Sequence, residues 1–136
     1  MKRVRPLVVV ASLVAAVAAA GSHPGAAQPA GVYSASQAAT GAKIFATQCS
    51  MCHGAKLEGG AGPQLAGDDF LAKWSGQTAN DIHDIVSTQM PLTNPGSLKP
   101  SESLALVAYI LEQNHYPAGD AALDASRLKS VKIVKH

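Results

Sequence analysis

The sequence predicts a small all-α domain with long loops, and three observations point there. Apolar residues recur at helical spacing in three separate stretches, each with residues suited to opening a helix at its N-terminal side. Strand-like alternation of apolar and polar residues is hard to find. Between the helical stretches lie residues 54–67 and 90–96, too rich in glycine and proline for regular structure.

The first helix should begin at Ser34, an N-cap, with Gln37 three residues on reaching back to complete a capping box. It should run through Ala38, Ala42, Ile44 and Phe45 toward Cys52 and stop at Gly54. The five glycines of residues 54–67 predict an irregular loop wrapped closely on something. Asp68 to Trp74 predicts a short helical turn. Thr78, with Asp81 at the third helical position, opens a helix through Ile82, Ile85 and Val86 to Thr88. Met90-Pro91 and Pro95-Gly96 demand a loop. Pro100 suits the first position of a last helix, with Glu102 near its positive end. That helix carries Leu104, Val107 and Leu111 on one face and Leu106, Tyr109 and Ile110 on the next, and ends near His115-Tyr116-Pro117. No internal repeat is present.

The N-terminus reads as an export leader. Lys2, Arg3 and Arg5 precede an uncharged apolar run from Leu7 to Ala20, followed by small residues. That run is shorter than the ~20 residues a spanning helix needs, so residues 1–27 are expected to be a signal peptide cut after Ala20 or Ala27. Only an uncleaved leader would hold the protein to a membrane. The expected division is leader 1–27, domain 28–117 and a basic tail 118–136. Without the leader, eight cations face nine acids. Arg127, Lys129, Lys132 and Lys135 crowd the last ten residues, which read as a poorly ordered terminus or a docking field. Four tail cations without interleaved aromatics exclude a nucleic-acid binder. Two Phe, three Tyr and one Trp are few for a core of this size, which argues mildly for a buried prosthetic group.

The chemistry is concentrated in Cys49-Ser50-Met51-Cys52-His53, which contains the chain's only two cysteines. C-x-x-C-H is the spacing of c-type haem attachment. Two thiols can add across the haem vinyl groups, and the next imidazole can then ligate the iron. A redox dithiol would want a βαβ context, a zinc site would want two more ligands, and a disulfide here would close a tiny loop of little value. Export agrees independently, because c-type haem is attached outside the cytoplasm.

With these features in order, residues 34–116 resemble the class I cytochromes c, small single-haem electron carriers. The resemblance implies three main helices and long loops around one covalent haem, the first and last helices crossing near a right angle. Gly41 and Phe45 match the family's first helix, and Leu106 and Tyr109 its partner. It implies that the Pro63 carbonyl, after Gly62, accepts the N–H of the proximal His53. Met90, 37 residues after His53, matches the distal ligand, and Trp74 the indole near a haem propionate; plain core packing is the alternative for Trp74. Among the three methionines, Met1 leaves with the leader and Met51 lies on the proximal side, so Met90 remains. His83, beside Asp81 and Asp84, reads as a solvated helix histidine rather than a ligand.

The expected sites are therefore Cys49, Cys52, His53, Met90, Pro63 and Trp74 for haem c, with His53 and Met90 on the iron. Two protein ligands leave no place for substrate, which implies a periplasmic electron carrier rather than an enzyme, acting alone as a monomer or as a subunit of one. The expected partners are a periplasmic dehydrogenase as donor and an oxidase or another cytochrome as acceptor. The run Met90-Pro91 to Pro95-Gly96-Ser97-Leu98 and Ala108-Tyr109-Ile110-Leu111 looks like cytochromes paired with quinoprotein (PQQ) dehydrogenases, although Lys99 stands where those often have a serine N-cap. Two other classes stay open: a haem enzyme or ligand sensor with a displaceable distal position, and an exported thiol oxidoreductase.

Overall fold

The computed structural model describes residues 31–135. The expected leader and its cleavage points lie outside the described residues. Helix positions follow the local signals. Ser34 adopts extended backbone and its hydroxyl accepts the Gln37 N–H at 3.3 Å, opening α1 (Ala35–Gln48). The Gln37 side chain, however, does not reach back. It pairs with the backbone of Leu123, donating to its carbonyl at 2.8 Å and accepting its N–H at 2.7 Å. Nor does the first helix run unbroken to Cys52. Cys49 leaves helical geometry at φ −122°, and a separate turn, α2 (Ser50–His53), follows before Gly54 at φ 79° ends it.

Next come α3 (Asp68–Trp74), α4 (Ala79–Gln89) and α5 (Pro100–Gln113). At the start of α4 the Asp81 carboxylate accepts the Thr78 N–H and hydroxyl, both at 2.7 Å. At α5 Pro100 takes the first turn, and Glu102 accepts the Lys99 N–H at 2.8 Å. Lysine thus serves at this N-cap because the third-position carboxylate supplies the acceptor.

Helices α1 and α5 cross in direct contact. At the crossing is Gly41, where a Cβ would run into the Ala105 carbonyl and come within 2.8 Å of Tyr109 Cβ. One turn on, the Phe45 and Tyr109 rings meet at 5.4 Å and 55°. Leu106, Val107, Ile110 and Leu111 of α5 fill the core between α1 and α4. This is the all-α fold expected from the sequence, with α1, α4 and α5 as its main helices.

The C-terminal segment is the principal correction. It is not a poorly ordered tail. Leu123 is 1% exposed and Ile133 0%, and both belong to the main core with Leu128 and Val131. Val32 N–H donates to the Pro117 carbonyl at 2.9 Å, and β1 (Tyr33–Ser34) pairs in parallel with β2 (Ala118–Gly119). Beyond the 3-10 turn Leu128–Ser130, the chain clasps the start of α4: Ala79 N–H donates to Val131, and Ile133 N–H to Gln77, each at 2.9 Å. Its cations are partly engaged. Arg127 donates to the Gly31 carbonyl at 2.9 Å, and Lys132 lies close enough to favour the ionised Asp81 carboxylate.

Candidate functional site

The break at Cys49 builds the site. The Cys52 and His53 N–H groups both donate to the Cys49 carbonyl, at 3.1 and 3.0 Å, so α2 is one tight turn. That turn puts Cys49, Cys52 and His53 on the wall of one cavity of about 560 Å³. Both cysteines are free thiols, partly exposed. Burial, and then the neighbouring Cys52, push the Cys49 thiol up to about 11. A redox-active dithiol needs the opposite, a depressed pKa that populates thiolate.

His53 is 9% exposed, and its Nδ1 lies 2.7 Å from the Pro63 carbonyl oxygen. A carbonyl can only accept, so Nδ1 carries the proton and Nε2 keeps its lone pair for a metal. The loop that brings Pro63 there is tied to α2 itself: Gly59 N–H donates to the His53 carbonyl and Gly62 N–H to that of Cys52, both at 2.8 Å. Gly62 packs flat on the imidazole, where a Cβ would sit 2.9 Å from Nδ1. Only glycine permits that approach.

Asn114, just past α5, is a residue that the sequence reading missed. It is almost fully buried and fastens the same loop from the other side. Its Oδ1 accepts the Gly67 N–H at 3.0 Å, and its Nδ2 donates to the Leu65 and Ile110 carbonyls at 2.9 and 2.8 Å. Asn114→Ala removes all three side-chain bonds, an expected loss of about 3 kcal/mol. Chemical denaturation would read it, with faster hydrogen exchange confined first to residues 57–67.

Met90 follows α4 in extended backbone and lines the same cavity as the thiols and His53. Apolar wall comes from Phe45 of α1, Leu65 of the loop, Val86 of α4, and Leu106 and Ile110 of α5. Trp74 stands in an adjoining cavity of about 170 Å³, which shares His53, Pro63 and Met90 with the larger one. Its ring also leans on Phe70 at 6.0 Å, so it packs in the core as well. The larger volume lies within the roughly 300–1,000 Å³ of ordinary cofactor sites. A mainly apolar space with paired thiols, one N-donor and one thioether on its walls fits a haem. Among the described residues no three His, Cys, Asp or Glu side chains converge as a metal-ion site would require.

His83 is not a freely solvated histidine. It is half-buried between α4 and α5, with Nε2 3.0 Å from the buried Ser103 hydroxyl. Burial holds its pKa below the usual imidazole value, against the pull of Asp84. The unfolded imidazole protonates near pH 6.5, whereas the folded one protonates only at lower pH. Stability from this site is therefore complete above about pH 6.5 and is lost as pH falls through the folded value. In urea melts at neutral and acidic pH, His83→Gln should show a shallower loss toward acid than the parent.

A helical shell carrying C-x-x-C-H, with His53 set by a loop carbonyl and Met90 on the wall of the same cavity, defines a c-type cytochrome domain. Residues 36–110 match the protein family described as cytochrome c oxidase, cbb3-type, subunit III. The chain belongs to that family; it is a small electron-transfer cytochrome whose cofactor is covalently bound haem c with its iron. It is 29% identical to a thiosulfate dehydrogenase of Psychrobacter arcticus, a match covering 64% of this chain and 32% of that protein. In structure it is similar to the sulfane dehydrogenase SoxCD of Paracoccus pantotrophus. The TM-score is 0.57 at 25% identity, over 71% of this chain and 52% of that one. The chain thus spans about a third to a half of the relatives it matches.

Proposed function

We propose that this chain is an exported single-haem electron shuttle in which Cys49 and Cys52 form the thioethers and His53 and Met90 ligate the iron. The observation that carries this reading is the shared cavity. Both thiols, Met90 and an imidazole already held in the right tautomer by Pro63 face one apolar space. Haem supplies one-electron chemistry at iron, and every other task falls to the chain. Pro63 holds the His53 proton at Nδ1 and so leaves the Nε2 lone pair free for a metal. Phe45, Leu106 and Ile110 would exclude water, and Trp74, beside the same cavity, would offer its indole N–H to a haem propionate. Were His53 and Met90 both to ligate the iron, no position would remain for oxygen or substrate, which favours the shuttle over the ligand-sensor reading.

The proposal includes removal of residues 1–27 on export and action in the periplasm. Among the described residues no helix is long and apolar enough to cross a membrane. The donor is a periplasmic dehydrogenase, with the chain as free carrier or bound subunit, and the acceptor an oxidase or second cytochrome. The names of the two relatives favour a donor that oxidises reduced sulfur compounds over the quinoprotein enzyme expected from sequence.

Protein recovered from the periplasm of a cell able to mature c-type haem should show a reduced-minus-oxidised haem spectrum, a mass raised by one haem and no alkylatable thiol. Colourless, folded protein with two reactive thiols would overturn the assignment. Ferric protein mixed with its host's periplasmic extract should be reduced on adding thiosulfate. Reduction by an alcohol and added PQQ instead would restore the quinoprotein partner.

A further inference from the structure

Among the described residues the buried polar side chains are His53, Ser103 and Asn114. Asn114 is the C-cap of α5 and only 1% exposed. A buried amide must find partners, and this one finds most of them outside its own helix. Its Oδ1 accepts the Gly67 N–H and its Nδ2 donates to the Leu65 carbonyl, a grip on backbone 47 and 49 residues away. The remaining bond, to the Ile110 carbonyl, ties the amide to the last turn of α5.

The backbone is forced on both sides of this grip. Among the described residues Leu57 and His115 are the non-glycine positions with positive φ, at 60° and 63°. His115 directly follows Asn114, at the place in a Schellman turn that glycine usually fills. Its N–H donates to the Glu112 carbonyl at 3.0 Å, and the Tyr116 N–H to that of Leu111 at 3.1 Å. Leu57, fully buried, accepts the Leu65 N–H at 2.9 Å and so closes the segment that carries Pro63. Left-handed backbone is costly for a residue with a Cβ and persists where its surroundings over-determine it.

Pro63 lies between two anchorages. On one side Gly59 and Gly62 are bonded to the carbonyls of His53 and Cys52; on the other Leu65 and Gly67 are bonded to Asn114. A shift of the second anchorage therefore passes to the Pro63 carbonyl, 2.7 Å from His53 Nδ1. Asn114 itself lines neither cavity, so it acts through what it holds.

We propose that Asn114 is a positioning residue for the proximal ligand, holding the Pro63 carbonyl on His53 and thereby setting the reduction potential of the iron. The inference rests on the haem assignment above, with His53 on the iron. A ligating histidine that donates its other N–H is a stronger donor to the metal, and a stronger donor favours ferric iron. Hydrogen bonding around the ligands is one of the levers by which a protein sets a haem potential. Loosening the Asn114 grip weakens the Nδ1–H···O bond and should move the potential upward, in favour of ferrous iron.

The test compares the parent holoprotein with its variants. Asn114→Leu supplies an apolar side chain of similar shape and removes all three bonds. Asn114→Ser is milder: its hydroxyl can still donate to the Ile110 carbonyl four residues back but stops short of the loop. Leu128→Ala, in the core of the C-terminal segment and bordering neither cavity, controls for general loosening. At a fixed solution potential near the parent's midpoint, the ferrous-to-ferric ratio should rise about threefold in both Asn114 variants and stay at the parent value in Leu128→Ala. In the ferrous, diamagnetic protein the His53 Nδ1 proton, followed by NMR, should exchange with solvent about tenfold faster in the Asn114 variants alone. Parent-like exchange, or a ratio that is unchanged or lowered, in both Asn114 variants overturns the proposal. An equal shift in Leu128→Ala overturns it too, because loosening anywhere would then suffice. So does failure of both Asn114 variants to carry haem while Leu128→Ala loads normally, which would confine Asn114 to folding. A parent with no haem spectrum would instead sink the cofactor assignment, a failure distinct from all of these.

Discussion

Met90→Ala is expected to keep its haem and become a carbon monoxide binder. In the proposed assignment the thioether bonds depend on Cys49 and Cys52, which the substitution leaves alone, so total haem should match the parent and the mass should still include one haem. The sixth position is then empty, or held by water. The ferric protein should lose the weak charge-transfer band of methionine-ligated haem, and the ferrous protein should bind carbon monoxide at neutral pH, one per haem. Its potential should fall, because a soft thioether favours reduced iron. The fold should survive. Met90 lies past the end of α4, whose Ala79 and Ile82 are buried and whose first turn is capped by Asp81. A variant that retains the band would mean that another side chain is the distal ligand. His83 would not be the replacement, since it faces Ser103 between α4 and α5.

Gly41→Val should be the most damaging substitution to the fold. The backbones of α1 and α5 approach so closely that even the first side-chain carbon meets the Ala105 carbonyl. Helical backbone cannot yield as a flexible side-chain end would, so the helices must separate. Separation opens the Phe45–Tyr109 ring contact and moves Phe45 and Leu106, two walls of the haem cavity. The expected cost is about 4 kcal/mol or more, a large share of the roughly 5–15 kcal/mol that holds a domain together. Thermal melts would show it, along with poor accumulation of haem-loaded protein. A variant melting within a few degrees of the parent would mean that the crossing is looser than described.

The features readable from sequence share one property: their cause is local. Ser34, Thr78 with Asp81, and Pro100 with Glu102 open helices because each cap acts on groups three residues away. The attachment motif is five consecutive residues. The Gly41 and Phe45 crossing with α5 was legible only through resemblance, since nothing nearby in sequence marks it. Cys49 illustrates the limit within a single element. The apolar pattern continues past it, yet the helix breaks there, because the cavity wall needs both thiols and the imidazole in a tighter turn.

The sequence by itself determined the haem chemistry, the all-α class and where the main helices start, since attachment spacing and helix capping are short-range effects. Tertiary structure alone decided that Gln37 holds Leu123 rather than its own helix end, that Asn114 clamps the Pro63 loop, and that residues 118–135 complete the core. Those contacts join residues dozens of positions apart. A side chain's choice among several buried backbone partners depends on which of them the folded chain brings within about 3 Å, and no periodicity along the chain encodes that distance.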